Sequence, residues 1–205
     1  SIGSFDDGTL NAKWGDDNIY AAIWDSGGAD TFSWAGLNSV ARINLNDGEF
    51  SSFGNITGPD DADLDNQSLP DGDGILGIGY GVIIENAIGG SSGDTIVGNE
   101  YANYLYGGTG AGVKDTLTGN GGADIFISCI ADATTNLLYA DSITDFLNGT
   151  DKIGLEDRSF SDLVISNRSG GTQITDTSSS KILFWLDGID ATLIDSNDFV
   201  TTDFV

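Results

Sequence analysis

Residues 89–97 read GGSSGDTIV, 98–106 GNEYANYLY, 107–118 GGTGAGVKDTLT and 119–127 GNGGADIFI, four units that follow one another without a gap. In register, an acid or amide falls at Asp94, Asn103, Asp115 and Asp124, at spacings of 9, 12 and 9. A large apolar residue falls two places after each, at Ile96, Leu105, Leu117 and Phe126. This is the nonapeptide pattern GGxGxDxUx, with U large and apolar and three extra residues in the third unit. Glycine permits the crowded, left-handed backbone of a tight turn, so that several carbonyl oxygens can point at one ion. The acid adds a charged oxygen as the chain leaves the turn, and the apolar residue points inward from a very short strand. One Gly-Gly-x-Gly stretch reads as a flexible linker, but four in register, each followed by alternation, read as a stacked repeat.

Two units make one coil, so units one and three stack on one side of a roll and units two and four on the other. Calcium, as several ions, is expected between stacked turns. One site is expected from Asp94 and Asp115 with the turn carbonyls of Gly90, Ser92, Gly108 and Gly110. Another is expected from Asn103 and Asp124 with those of Asn99 and Gly121, weaker in charge because Asn103 replaces an Asp and needing Asn103 less than the first needs Asp115. Ser92 stands where the repeat prefers Gly, and Asn99 and Asn120 replace second glycines. The three extra residues Ala111, Gly112 and Val113 threaten the register of Asp115.

Composition agrees with turns that hold hard cations. The 32 acids stand against 7 bases, a net charge of −25, and 28 of the acids are Asp against 4 Glu. Glu favours helices, whereas Asp favours turns and offers a short carboxylate. The charge excludes nucleic acid and anionic membranes, which are held by clustered Lys and Arg. No stretch is apolar enough for membrane insertion. With no His in the chain there is no HExxH zinc site, no Ser-His-Asp triad and no imidazole base, so no catalysis is expected of these residues. GGTGAGVKDT lacks the Gly-Lys-Ser/Thr of a phosphate loop. The chain holds no Met and starts at Ser1, so its natural start is expected to have been removed or to lie upstream.

Elsewhere, short runs of Val, Ile, Phe, Tyr, Trp and Leu alternate with Gly, Asp, Asn and Ser, and only Asp157 to Leu163 and a stretch near Ala191 to Phe199 suit short helices. The expected fold is all-β, a parallel β-roll continued by a β-sandwich-like C-terminal part. One domain is expected over 1–205: an N-terminal β part at 1–88 with an acidic insertion at 58–81, the nonapeptide roll at 89–127, and a C-terminal β part at 128–205. In the insertion, Asp61, Asp63 and Asp65 alternate as in an EF-hand-like loop, but Gly72 stands where a bidentate Glu would close the site. A private calcium loop and a solvated acidic excursion are both open there.

The repeats resemble the repeats-in-toxin family of secreted calcium-binding proteins. IWDSGGADTFSWAG from Ile23, ARINLNDGEFSSFG from Ala41, VIIENAIGG from Val82 and DSITDFLNGTDKIGL from Asp141 further resemble the non-catalytic C-terminal domain of serralysin-type metallopeptidases. The calcium-binding repeat module of alginate epimerases shares the nonapeptides but less of the tryptophan segment. The serralysin resemblance implies a further calcium site at WDSGGADTF, with side chains from Asp25 and Asp30 and backbone approach at Gly27 and Gly28. It also implies that Thr202-Asp203-Phe204-Val205 is an uncleaved export signal read by a bacterial type I export apparatus, with an edge strand as the alternative.

The function expected is therefore a calcium-binding secretion and folding module of a secreted, extracellular protein, folding after type I-like export, with an upstream peptidase domain as a natural partner. Two alternatives are a self-assembling structural subunit of a fibre or surface layer and an adhesive module using Trp14, Trp24, Trp34 and Trp185.

Overall fold

In the computed structural model the described residues are 10–11, 19–53, 74–110, 112–131, 133–156 and 158–202. They form a seven-stranded sheet that is parallel throughout and a ten-stranded mixed sheet. The chain passes from one sheet to the other at each repeat. Thr95–Val97 pairs with Thr116–Thr118 in the mixed sheet, and Tyr104–Tyr106 pairs with Ile125–Ser128 in the parallel sheet. Units one and three thus stack on one side and two and four on the other, as the period requires.

The roll extends beyond the glycine-rich units. In the mixed sheet Ile43, Ile96, Leu117, Ile143 and Leu186 lie directly opposite one another on five adjacent strands. All five are essentially buried. In the parallel sheet Phe32, Ala87, Leu105, Phe126, Ile153 and Phe199 form the matching row. Alternation sends one residue of each three-residue strand inward, so the two rows meet as a single core. Burial of each Leu, Ile or Phe in these rows stabilises by roughly 1.5–3 kcal/mol. Phe53 stacks on Trp34 and Phe32, at centroid separations of 4.2 and 5.4 Å, and fills one end of that core.

The C-terminal part continues the same sheets. Leu163–Arg168, Gly171–Asp176 and Ile182–Asp187 form an antiparallel meander whose last strand joins the mixed sheet alongside Ser142–Ile143. Phe199–Thr201 pairs with Lys152–Leu155 at the end of the parallel sheet. Gly74–Ile78, at the end of the stretch read as an acidic insertion, is a strand pairing with Ile19–Ile23 and Phe50–Phe53. The first helical stretch is one short 3₁₀ turn, Phe160–Asp162, the second holds two, Ala191–Leu193 and Ser196–Asp198, and a further turn, Leu137–Tyr139, lies outside both. Ser159 with Asp162 and Asp195 with Asp198 close capping boxes around single turns. No helix among the described residues is long and apolar enough to cross a membrane. Trp34 belongs to the core, whereas Trp24 is 72% exposed. Trp14, Asp61, Asp63, Asp65 and the last three residues of the export motif lie outside the described residues.

Candidate metal centre

Stacking brings the repeat acids into two ladders, one on each side of the roll. On the first side the Ala41 N–H donates to Asp94 Oδ1 at 2.6 Å, the Asp94 N–H to Asp115 Oδ1 at 2.7 Å, and the Asp115 N–H to Asp141 Oδ1 at 2.9 Å. On the second side the Asn103 N–H donates to Asp124 Oδ1 at 2.8 Å, and the Asp124 N–H to Asp151 Oδ1 at 3.1 Å. Each acid is thereby fixed by the residue one coil before it. Asp94, Asp115 and Asp124 are each at most 2% exposed.

The turns between them are packed oxygen to backbone. A Cβ on Gly108, whose φ is +116°, would strike the Gly90 carbonyl, and one on Gly119 would strike the Asp124 carboxylate. The Gly90 carbonyl accepts from Thr109 N–H at 2.9 Å and the Asn99 carbonyl from Gly121 N–H at 3.2 Å. The Gly110 carbonyl accepts from Val113 N–H at 3.2 Å, and Asp115 keeps its register, with Thr116 opposite Thr95. Ser92, in a glycine position, donates its hydroxyl to the Asn38 carbonyl at 2.7 Å. Asn120 adopts φ 66°, which Asn tolerates better than most residues.

The tryptophan-segment turn is built differently. Asp25 Oδ2 accepts from Gly27 N–H at 2.7 Å within its own loop, and Gly27 and Gly28 both have positive φ. Asp30 is 1% exposed, and its N–H donates to Glu85 Oε2 at 2.8 Å. The structure therefore brings Asp30 to Glu85, while the Asp25 contact stays local.

Sequence reading did not single out Glu85, Asp141, Asp145 or Asp151. Asp145 accepts from the N–H groups of Gly119 and Asn120 at 2.9 and 2.8 Å. The signal was present in the acids of DSITDFLNGTD, but without the glycine pattern the segment did not register as another coil.

These residues fit a hard divalent cation. Asp124 Oδ2 is buried with no hydrogen-bond partner. The donors are all oxygen, which suits calcium. No group of three or more acidic side chains converges among the described residues, so an ion here would draw on backbone carbonyls as well as carboxylates. Burial raises Asp124 to about 7, and the charges of Asp151 and Asp145 add to the rise against the opposing Asn103 N–H. Burial likewise raises Asp94 to about 6, against the N–H groups of Ala41 and Gly90.

These shifts predict opposite pH responses with and without metal. The folded values lie above the unfolded carboxylate value of about 3.9, so the metal-free fold binds more protons than the unfolded chain. Its stability from these two groups rises as pH falls through about 7 and then about 6. Calcium needs the same carboxylates ionised, so its affinity falls over that range. In chelator, folding of the chain followed by circular dichroism should therefore be more favourable at about pH 5.5 than at about pH 7.5. Metal-free folding unaffected by pH over that range would show that these carboxylates are not buried as the fold places them.

The profile of the family described as Peptidase M10 serralysin C terminal matches residues 6–169. Serralysin C of Dickeya chrysanthemi is 41% identical over 70 residues, 34% of this chain and 11% of that protein. Serralysin of Photorhabdus sp. (strain Az29) is 37% identical over 82 residues, 40% of this chain and 14% of that protein. The matched stretch thus spans only 11 to 14% of these relatives' length. Among solved structures, a subunit of the Azotobacter vinelandii mannuronan C5-epimerase aligns with a TM-score of 0.45 and 25% identity, over 57% of this chain and 72% of that one.

Proposed function

The chain belongs to the serralysin C-terminal family of the M10 peptidases, and from that premise we propose that it is the calcium-dependent secretion and folding module of an extracellular protein. The observation that carries this reading is the pair of buried carboxylate ladders, with Asp124 Oδ2 buried and unpartnered at the junction of two turns. Calcium, when bound, supplies the positive charge that lets such carboxylates lie close together. Without it, Asp94, Asp115 and Asp124 are desolvated against like charges elsewhere in a chain of net charge −25. The glycines of the turns add to the entropy that folding must overcome. A ligand that binds only the assembled turns contributes its binding free energy to folding.

The consequence is a switch set by location. At the low calcium level inside a cell the chain stays loose and fit for export through a type I apparatus, and at extracellular millimolar calcium it folds. Thr202, the first residue of the stretch read as an export signal, donates its N–H to the Leu155 carbonyl at 3.2 Å, just after the strand Phe199–Thr201. An upstream zinc peptidase domain is the partner this reading implies, and with no His in the chain the module itself leaves peptide bonds intact. Equilibrium dialysis at millimolar calcium tests the proposal: several ions should be retained per chain, and fewer by an Asp94→Ala, Asp124→Ala variant. A chain that retains none contradicts it.

A further inference from the structure

On the second side of the roll, the turn 98–103 meets the coil before it through amides. The Asn99 side-chain nitrogen donates to the carbonyls of Leu45 and Ile84 at 3.2 and 2.8 Å. The Asn103 nitrogen donates to the Glu85 carbonyl at 2.9 Å and to Asn99 Oδ1 at 3.1 Å. The oxygen ends are taken by N–H groups, Tyr101 N–H on Asn99 Oδ1 at 3.0 Å and Asn99 N–H on Asn103 Oδ1 at 2.7 Å. Carbonyls only accept, so neither amide can be reversed without setting oxygen against oxygen. Both side chains are buried, Asn103 completely. Nearby, the Asn46 and Asn120 side chains both donate to the Gly98 carbonyl, at 2.8 and 2.7 Å.

Inward-pointing carbonyls from stacked turns are the surroundings in which the rest of the roll is read as holding an ion. At the matching join on the first side, the residue is Asp94, whose two oxygens accept from Ala41 and Gly90. We infer that Asn99 and Asn103 form a calcium-free clamp, their amide N–H groups satisfying the carbonyls of Leu45, Ile84 and Glu85 where a cation would otherwise sit. This rests on the calcium reading of the other turns. In the folded chain the clamp fastens the coil that contains Leu45 and Ile84 to the first repeats without an ion of its own, and leaves calcium dependence to the turns that follow.

Asn99→Asp tests it in the full chain, because the substitution keeps the shape but turns two donors toward carbonyls into an acceptor. The calcium midpoint for folding should rise about tenfold or more, and one further ion per chain should be retained at saturation. Asn99→Ala should lower the melting temperature of the calcium-saturated chain, with the number of bound ions unchanged. Wild-type midpoint and ion count in Asn99→Asp, or loss of an ion in Asn99→Ala, would overturn the clamp. Should the wild-type chain bind no calcium, the proposed function falls. The clamp would then stand if Asn99→Ala still lowers the melting temperature, and fall if it does not.

Discussion

Asp115→Asn is expected to raise the calcium concentration at half-folding about tenfold or more, while preserving the shape of the first-side ladder. Asp115 is 2% exposed, and its Oδ1 accepts the Asp94 N–H at 2.7 Å. An amide oxygen can accept that same bond, so the substitution removes the charge and keeps the Asp94 contact. Carboxylate number is a main lever on calcium affinity, and the first-side site has Asp94 as its only other repeat carboxylate. A calcium titration followed by circular dichroism measures the shift. An unchanged midpoint would mean that Asp115 serves only as a hydrogen-bond acceptor in the ladder.

The second large effect comes from the core. Leu117→Ala should destabilise the calcium-loaded fold by about 2–5 kcal/mol, because the cavity lies in a row that cannot easily collapse. Leu117 is fully buried and sits between Ile96 and Ile143 on the adjacent strands. Strands of three residues hold one inward side chain each, so no neighbour on the same strand can fill the gap. Denaturant unfolding at fixed millimolar calcium gives the value directly. A loss below about 1 kcal/mol would show that the row does not carry the core.

The repeat made the centre of the molecule readable. A fixed offset from acid to apolar residue placed Leu117 opposite Ile96 and Phe126 opposite Leu105, because stacking repeats of one period must align equivalent positions. The outer coils were harder to see. Ala41–Asn44, Asn86–Ile88, Ser142–Ile143 and Lys152–Leu155 carry the inward apolar residue but lack the double glycine, so nothing local separates them from ordinary short strands. Their acids, Glu85, Asp141 and Asp151, join the ladders only once the coils are stacked.

Asn103 shows a different limit. Charge counting treats it as a weakened ligand whose neutral oxygen water could replace. The structure buries it completely, with its amide nitrogen on the Glu85 carbonyl and on Asn99 Oδ1, so its removal also costs two buried hydrogen bonds. Comparing its removal with that of Asp115 therefore mixes a packing loss with a charge loss. Which acids approach which amides depends on contacts 18 to 55 residues apart, and a local pattern does not report them.

The central claim is that calcium binding and folding of this chain are one event, and far-ultraviolet circular dichroism of the full chain in chelator and through a calcium titration tests it most directly. The chain should be largely disordered or molten in chelator and gain its β signal cooperatively below millimolar calcium, with ion uptake and β signal rising together. A chain that shows the full β spectrum in chelator, unchanged by millimolar calcium, would contradict it.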